Sequence, residues 1–308
     1  MFQALFRYNS AKFSGTPIMP SQAARTRTAI YFSLLMVLVA GISAAATKHA
    51  TDSIPVAVIV FMQNAISLLL CLPVALRRGL GSLKTKRPGM HLTRSLLGVA
   101  GFYLCYSAMA HIPLVDAMLL RQSAPLCVPL VAWLWVRQKM PAEGWIPIVV
   151  GFIGVVIILR PGSSSGAISI WHLAGFLSAV ALAGSMVATF KLALTESSNQ
   201  ILFYYFSLSA LCLLPFSITH MPGLSGEQWL LLVGIGIAMY AALWLYTRAY
   251  SMAPASAIAP INYLAVVMAG LLGWLIWQEV PDAASLGGSL LVIIGGLVTI
   301  YQARERAK

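Results

Sequence analysis

Ten apolar runs separated by short polar links organise this chain, at 29–47, 56–76, 95–112, 115–136, 145–159, 172–194, 201–219, 229–250, 255–277 and 285–302. Most hold 18–23 residues, enough to cross about 30 Å of hydrocarbon at about 1.5 Å per residue, and the fifth is the shortest at 15. Short links favour antiparallel neighbours. Only Ile112-Pro113-Leu114 divides the third run from the fourth; proline there removes a backbone donor and ends a helix. The pattern predicts an all-α polytopic membrane protein of ten transmembrane helices. The first run begins near Ala29 and exceeds the h-region of a signal peptide, about 7–15 residues, so it reads as the first span. Met19 is an alternative start, because Met19 to Thr28 alone makes a basic leader.

Composition agrees with the pattern. Apolar residues make up 59% of the 308, charged residues 9%, and mean hydropathy is +0.85. A soluble domain is about 45–50% apolar and about 25% charged, so this chain cannot cover itself with a charged surface. The net charge of +12 raises nucleic-acid binding. The basic residues form no stripe with interleaved aromatics, and they fall between the apolar runs, so no nucleic-acid partner is expected. Seventeen of the 20 Lys and Arg lie in the two tails, the 77–94 and 137–139 links, and at Lys191 and Arg248. These positions share one side in a ten-span topology. Lys48 and Arg160 fall on the other side, and Arg121 remains inside a span. The asymmetry places both termini in the cytoplasm. Asp52, Asp116, Glu227, Glu279 and Asp282 fall on the outer side, which is consistent. Cys71, Cys105, Cys127 and Cys212 lie within apolar runs without CxxC spacing and read as small packing residues. No metal and no cofactor is expected.

The second half echoes the first. Near an offset of 143, Ala40-Gly41 meets Ala183-Gly184 and Lys48 meets Lys191. At 142, Pro73 meets Pro215. At 140, Tyr106 meets Tyr246, Ala117 meets Ala257, Gln138 meets Gln278 and Pro141 meets Pro281. The order holds with small gaps, so the unit is five spans. An odd unit enters from opposite faces, giving two inverted five-helix repeats. The expected divisions are a cytoplasmic tail at 1–28, a first repeat at 29–160, a linker at 161–171, a second repeat at 172–302 and a tail at 303–308.

The stretches AMLLRQSAPLCVPLVAWLWVRQKMPAEGWIPIVVGFIGVVIILRPG and SAIAPINYLAVVMAGLLGWLIWQEVPDAASLGGSLLVIIGGLVTI carry a resemblance. The chain resembles the EamA-type members of the drug/metabolite transporter superfamily over about 29–302, the first stretch resembling that family's fourth and fifth helices and the second its ninth and tenth. Lys48 and Lys191 stand where the family's lysine closes the first helix of each repeat. The glutamate usual after the fourth helix is kept at Glu279 and replaced by Lys139 in the first half. Gln63 stands where the family often has arginine. The resemblance implies a ten-helix, two-repeat carrier whose family substrates include amino acids, nucleotide precursors, vitamins, sugars and drugs.

Candidate chemistry centres on Arg121, within the fourth span beside Gln122. An intramembrane arginine faces a cavity or a partner, and its fork suits a carboxylate. Snorkelling, or an internal pair with Asp116, is the plainer reading. Pro125 and Pro129 in the fourth span answer Pro254, Pro260 and Asn262 in the ninth, with Asn262 aligned to Gln122. Proline-interrupted helices at matching places in two halves point to a transport site. Aromatics cluster at Phe102, Tyr103, Tyr106, Tyr204, Tyr205, Tyr240, Trp244, Tyr246 and Tyr250. The repeat favours Tyr106 and Tyr246 as cavity lining. Gln63 and Asn64 are polar at membrane depth, as site residues or as helix-to-helix glue. Asp116, Glu279, Lys48 and Lys191 are gate or coupling candidates. His91, His111, His172 and His220 are expected to be interfacial.

The expected function is secondary transport of a small polar, amino-acid-like, zwitterionic or anionic metabolite across the cytoplasmic membrane by alternating access, with export favoured by family analogy. The partners are that small molecule and the lipid bilayer, and a homodimer is left open. The alternative is a membrane-embedded lipid-modifying enzyme. The chain lacks HExxH, a Walker loop and a usefully spaced cysteine–histidine pair, so no enzymatic activity is expected.

Overall fold

The structure, a computed structural model, describes residues 22–77, 83–136, 145–159, 169–221, 223–252 and 261–305. Among these residues the regular structure is helical throughout. The helices are α1 (Gln22–Thr51), α2 (Val56–Arg77), α3 (Pro88–Met109), α4 (Leu114–Gln122), α5 (Ala124–Val136), α6 (Trp145–Leu159), α7 (Ile170–Ala193), α8 (Ser198–Thr219), α9 (Gly226–Met252), α10 (Leu264–Trp277) and α11 (Ala283–Glu305).

Among the described residues six stretches are long and apolar enough to cross a membrane: Arg27–Thr51, Val56–Arg77, Leu114–Trp135, Ile170–Ala193, Ser198–Thr219 and Gly226–Ala249. Trp145–Ile158, Leu264–Trp277 and Ala283–Thr299 are shorter apolar helices. In hydrocarbon every backbone group must bond within its own segment, which is why apolar runs of this length become helices. Leu134, Leu230 and Leu275, at 71%, 75% and 62% exposure, face outward without protein cover. Such surfaces fit lipid and would aggregate in water.

Local signals set the helix starts. Ser169 and Ser197 accept from the amides of Trp171 and Gln200 at 3.4 and 3.3 Å. Ser225 and Gln228 form a reciprocal capping box ahead of α9, at 2.9 and 3.2 Å. Pro88 opens α3 at the position where a missing N–H costs nothing. The helices overrun the apolar runs at several ends. The α1 helix starts at Gln22 rather than near Ala29, α3 at Pro88 rather than 95, and α11 continues to Glu305. A helix that leaves the hydrocarbon keeps its ladder, so hydropathy marks the membrane and not the helix.

Packing joins distant parts of the chain. The α3 helix lies along α7, α9 along α1, α2 along α8, and α6 along α11. Glycines let these backbones approach. A Cβ on Gly101 would stand 3.3 Å from the Ser178 carbonyl, one on Gly236 2.6 Å from Ile66, and one on Gly154 2.5 Å from the Gly288 carbonyl. The cysteines Cys71, Cys105 and Cys127 are buried, Cys212 is half-buried, and all four are free thiols.

Candidate transport site

The fourth span is interrupted. The α4 helix stops at Gln122, Ser123 turns its amide and hydroxyl onto the Leu120 carbonyl (3.2 and 2.6 Å), and α5 begins at Ala124. Pro125 supplies the reason, since it lacks the N–H that the Arg121 carbonyl would accept. A second interruption lies 140 positions on, where Ile261 and Asn262 are helical, Tyr263 turns, and α10 starts at Leu264. The two breaks meet: Gln122 Nε2 donates to the Asn262 carbonyl at 3.1 Å. Pro254 and Pro260 lie outside the described residues, as does Lys139.

Arg121 leans across the bundle, its guanidinium 4.3 Å from the centre of the Phe102 ring, with Nη1 buried and without an acceptor. It forms no ion pair with Asp116, which approaches His172 at 3.9 Å. Cys105, Tyr106 and Tyr205 lie within electrostatic reach of Arg121. Tyr106 is buried and donates its hydroxyl to Gln63 Oε1. Gln63 is 1% exposed, and its Nε2 has no acceptor either. Two buried donor atoms are therefore unused beside an aromatic wall, and leaving such groups unmatched is costly. Asn64 bonds within its own helix, to the Val60 carbonyl at 2.7 Å.

Tyr246 is not brought to Tyr106. It packs with Phe32 and Met252 against Ala29 and Ala249, where α9 meets the start of α1. The side chain of Tyr250 is outside the described residues.

The charged candidates divide between two ends. Lys48 forms an ion pair with Glu279, donates to the Ile112 carbonyl at 3.2 Å, and stands 5.2 Å from the Trp277 ring centre. The other Glu279 oxygen accepts from the Leu114 amide at 2.9 Å. The pair thus clasps the turn between α3 and α4. Gln278, in the left-handed region at φ 57°, closes α10 and lets the chain reverse so that Glu279 faces back. Lys191 stands at the opposite end of α3, where its carbonyl accepts from Arg87 Nη1 at 3.1 Å. Its ammonium is 5.3 Å from the centre of the Trp135 ring. Both lysines therefore lie against a tryptophan of the other half, Lys48 against Trp277 at the end of α10 and Lys191 against Trp135 near the end of α5. The Lys48 end carries a carboxylate there.

Three residues at the Lys191 end were not legible as site residues. His91 is fully buried and meets Glu196 at 2.8 Å, which also accepts from Thr85. The Tyr204 ring lies over His91, 4.3 Å between centres. Arg94 lies 3.9 Å over the Tyr205 ring. A clue for the first pair was present: Glu196 is an acid in a link facing basic residues. Arg94 precedes its apolar run and so looks like one more topological charge.

The arrangement offers unused hydrogen-bond donors to an acceptor-rich solute near two interrupted helices. Among the described residues, no cluster of three or more His, Cys, Asp or Glu could hold a metal.

Comparison with known proteins agrees. The EamA-like transporter family profile matches residues 27–160 and again 169–301. The pseudopaline exporter of Pseudomonas aeruginosa strain UCBPP-PA14 is 34% identical over 254 residues, 81% of this chain and 88% of its own. The riboflavin transporter of Brucella anthropi is 31% identical over 81% of this chain and 89% of its own. The S-adenosylmethionine uptake transporter of Rickettsia felis is 28% identical over 80% and 83%. A protein crystal structure superposes with a TM-score of 0.61 at 20% identity, over 92% of this chain and 99% of its own, which speaks to the fold alone. The chain belongs to the EamA-like transporter family: it is a multi-pass membrane transporter of a small metabolite, and not an enzyme.

Proposed function

We propose that this protein exports an anionic or zwitterionic, amino-acid-like metabolite across the cytoplasmic membrane by alternating access, with Arg121 holding the substrate's carboxylate. The observation that carries the reading is the buried Arg121 Nη1, which has no acceptor among the described residues. Gln63 Nε2 offers a second unused donor. Carboxylates satisfy such a set, since each oxygen accepts twice.

In this reading ten spans form two inverted five-helix repeats, 29–160 and 172–302, with the 161–171 linker outside the cell and both termini in the cytoplasm. The opposite placement of Lys48 and Lys191 along α3 supports the inversion. The two matched helix breaks support a site at their meeting point. Lys48 and Glu279 are then the outer gate, drawn shut on the α3–α4 turn, and Lys191 stands at the inner one. Export follows the name of the 34% identical relative.

The test is untargeted metabolite profiling inside and outside cells carrying no gene, the wild-type gene or Arg121→Gln. The expected result is an acid-bearing compound that accumulates in the medium only with wild type, while the variant inserts at normal levels. Equal accumulation with Arg121→Gln removes Arg121 from the site.

A further inference from the structure

Arg94, Gly98, Phe102 and Cys105 recur at helical spacing and so share one face of α3. The Tyr205 ring is pressed onto that face: a Cβ on Gly98 would stand 2.5 Å from it. Arg94 lies over the Tyr205 ring, with Nε donating to Thr189 Oγ1 at 3.0 Å and Nη1 buried without an acceptor. Further along the same face Arg121 lies over Phe102. Tyr205 is within electrostatic reach of both guanidiniums. From Arg94 to Phe102 is about 12 Å of helix rise.

Two half-buried cations thus flank one tyrosine, each with one buried donor unused. Among the described residues neither has a carboxylate partner. The buried acids nearby are engaged elsewhere, Asp116 towards His172, Glu196 with His91 and Thr85, Glu279 with Lys48. A buried guanidinium donor without an acceptor is costly, and charged residues inside a membrane face a partner or a cavity. An aromatic face offsets part of that cost but accepts no hydrogen bond in the guanidinium plane. One carboxylate can answer Arg121 and leaves Arg94 unanswered.

We propose that Arg94 is a second anion-binding residue, and that the transported solute is an extended di- or polycarboxylate whose acidic groups engage Arg121 and Arg94 on either side of Tyr205. The proposal rests on the assignment of Arg121 to the site. The ladder runs towards the Lys191 end, so in an exporter Arg94 meets the solute before Arg121 does. A monocarboxylate of the same length gains only one of the two pairs, which makes Arg94 the residue that selects the second charge.

Thermal stabilisation of the purified full-length protein tests this, with linear α,ω-dicarboxylates from succinate to dodecanedioate set against monocarboxylates of equal length. The expected result is a best length whose apparent Kd is lower than that of the matched monocarboxylate by about tenfold or more, the least a charge-assisted hydrogen bond contributes. Arg94→Met should erase that advantage, bringing the dicarboxylate to the affinity of the matched monocarboxylate, and leave the unliganded protein at least as stable as wild type. Three results would overturn the proposal: no dicarboxylate advantage in wild type, an advantage that survives Arg94→Met, or an unliganded Arg94→Met protein of lowered stability, which marks a purely structural arginine. Failure of the Arg121 assignment looks different, since Arg121→Met would then leave all binding intact.

Discussion

Gln122 and Asn262, 140 positions apart, join two helix breaks through one hydrogen bond from side-chain amide to backbone carbonyl, 3.1 Å long. The contact crosses from α4 to the turn before α10, so each interruption is held by the other. Interhelical hydrogen bonds in membranes average about 0.6 kcal/mol, so Gln122→Leu should lower the melting temperature by only about 1–2 °C. Transport should fall to a small fraction of wild type, because the moving seam loses its register. Differential scanning fluorimetry beside counterflow in proteoliposomes reads both. Loss of stability and flux in equal proportion would make the bond mere packing.

The Lys48–Glu279 pair predicts a gating phenotype. Glu279→Gln leaves a buried ammonium unpaired, a penalty of about 3–5 kcal/mol, in the state where the α3–α4 turn is clasped. About 1.4 kcal/mol already shifts a population tenfold. Val115 is buried against α10 just beyond the clasp. In a cysteine-free background, labelling of Val115→Cys by a membrane-impermeant maleimide should rise about tenfold or more with Glu279→Gln. The double change Lys48→Met, Glu279→Leu should restore protection. An unchanged labelling rate counts against a gate.

The α6–α11 pair predicts a purely structural phenotype. At Gly154 a methyl group would meet the Gly288 carbonyl at 2.5 Å and Leu291 Cβ at 2.8 Å, backbone and root atoms that cannot swing away. Gly154→Ala should therefore destabilise by about 1–3 kcal/mol through overpacking. Affinity for substrate, measured on the folded fraction, should stay at the wild-type value.

Glu196 ties the links at the Lys191 end together. Glu196→Ala leaves His91 and Thr85 without their acceptor and should cost about 1–3 kcal/mol. Glu196→Gln keeps one acceptor and should lie between. Limited proteolysis at the 78–87 link reads the loosening; equal cleavage of all three proteins would separate this contact from the link's order.

The membrane class and the family were legible in residues read one at a time. Apolar runs of span length and the twin stretches around Arg121 and Asn262 needed no partner to be seen. The candidate site was legible in part. Gln122 meets Asn262, and Tyr106 meets Gln63 within electrostatic reach of Arg121. Tyr246 does not join Tyr106: it packs where α9 meets the start of α1, while Tyr106 turns to Gln63 of α2. The burial of His91 was not legible, since its partner Glu196 is more than a hundred positions away.

Sequence by itself determined the solvent: hydropathy is a sum over single residues, and so is the bias of charge between links. Partnership was decided only by the tertiary structure. That Lys48 meets Glu279, that Arg121 turns to Phe102 instead of Asp116, and that Arg94 lies over Tyr205 depend on which helices lie side by side. Those distances span up to 231 positions of chain. Pairwise energies at such separations have no local signature, because any lysine at a span end can snorkel, and only the packed neighbour determines whether it does.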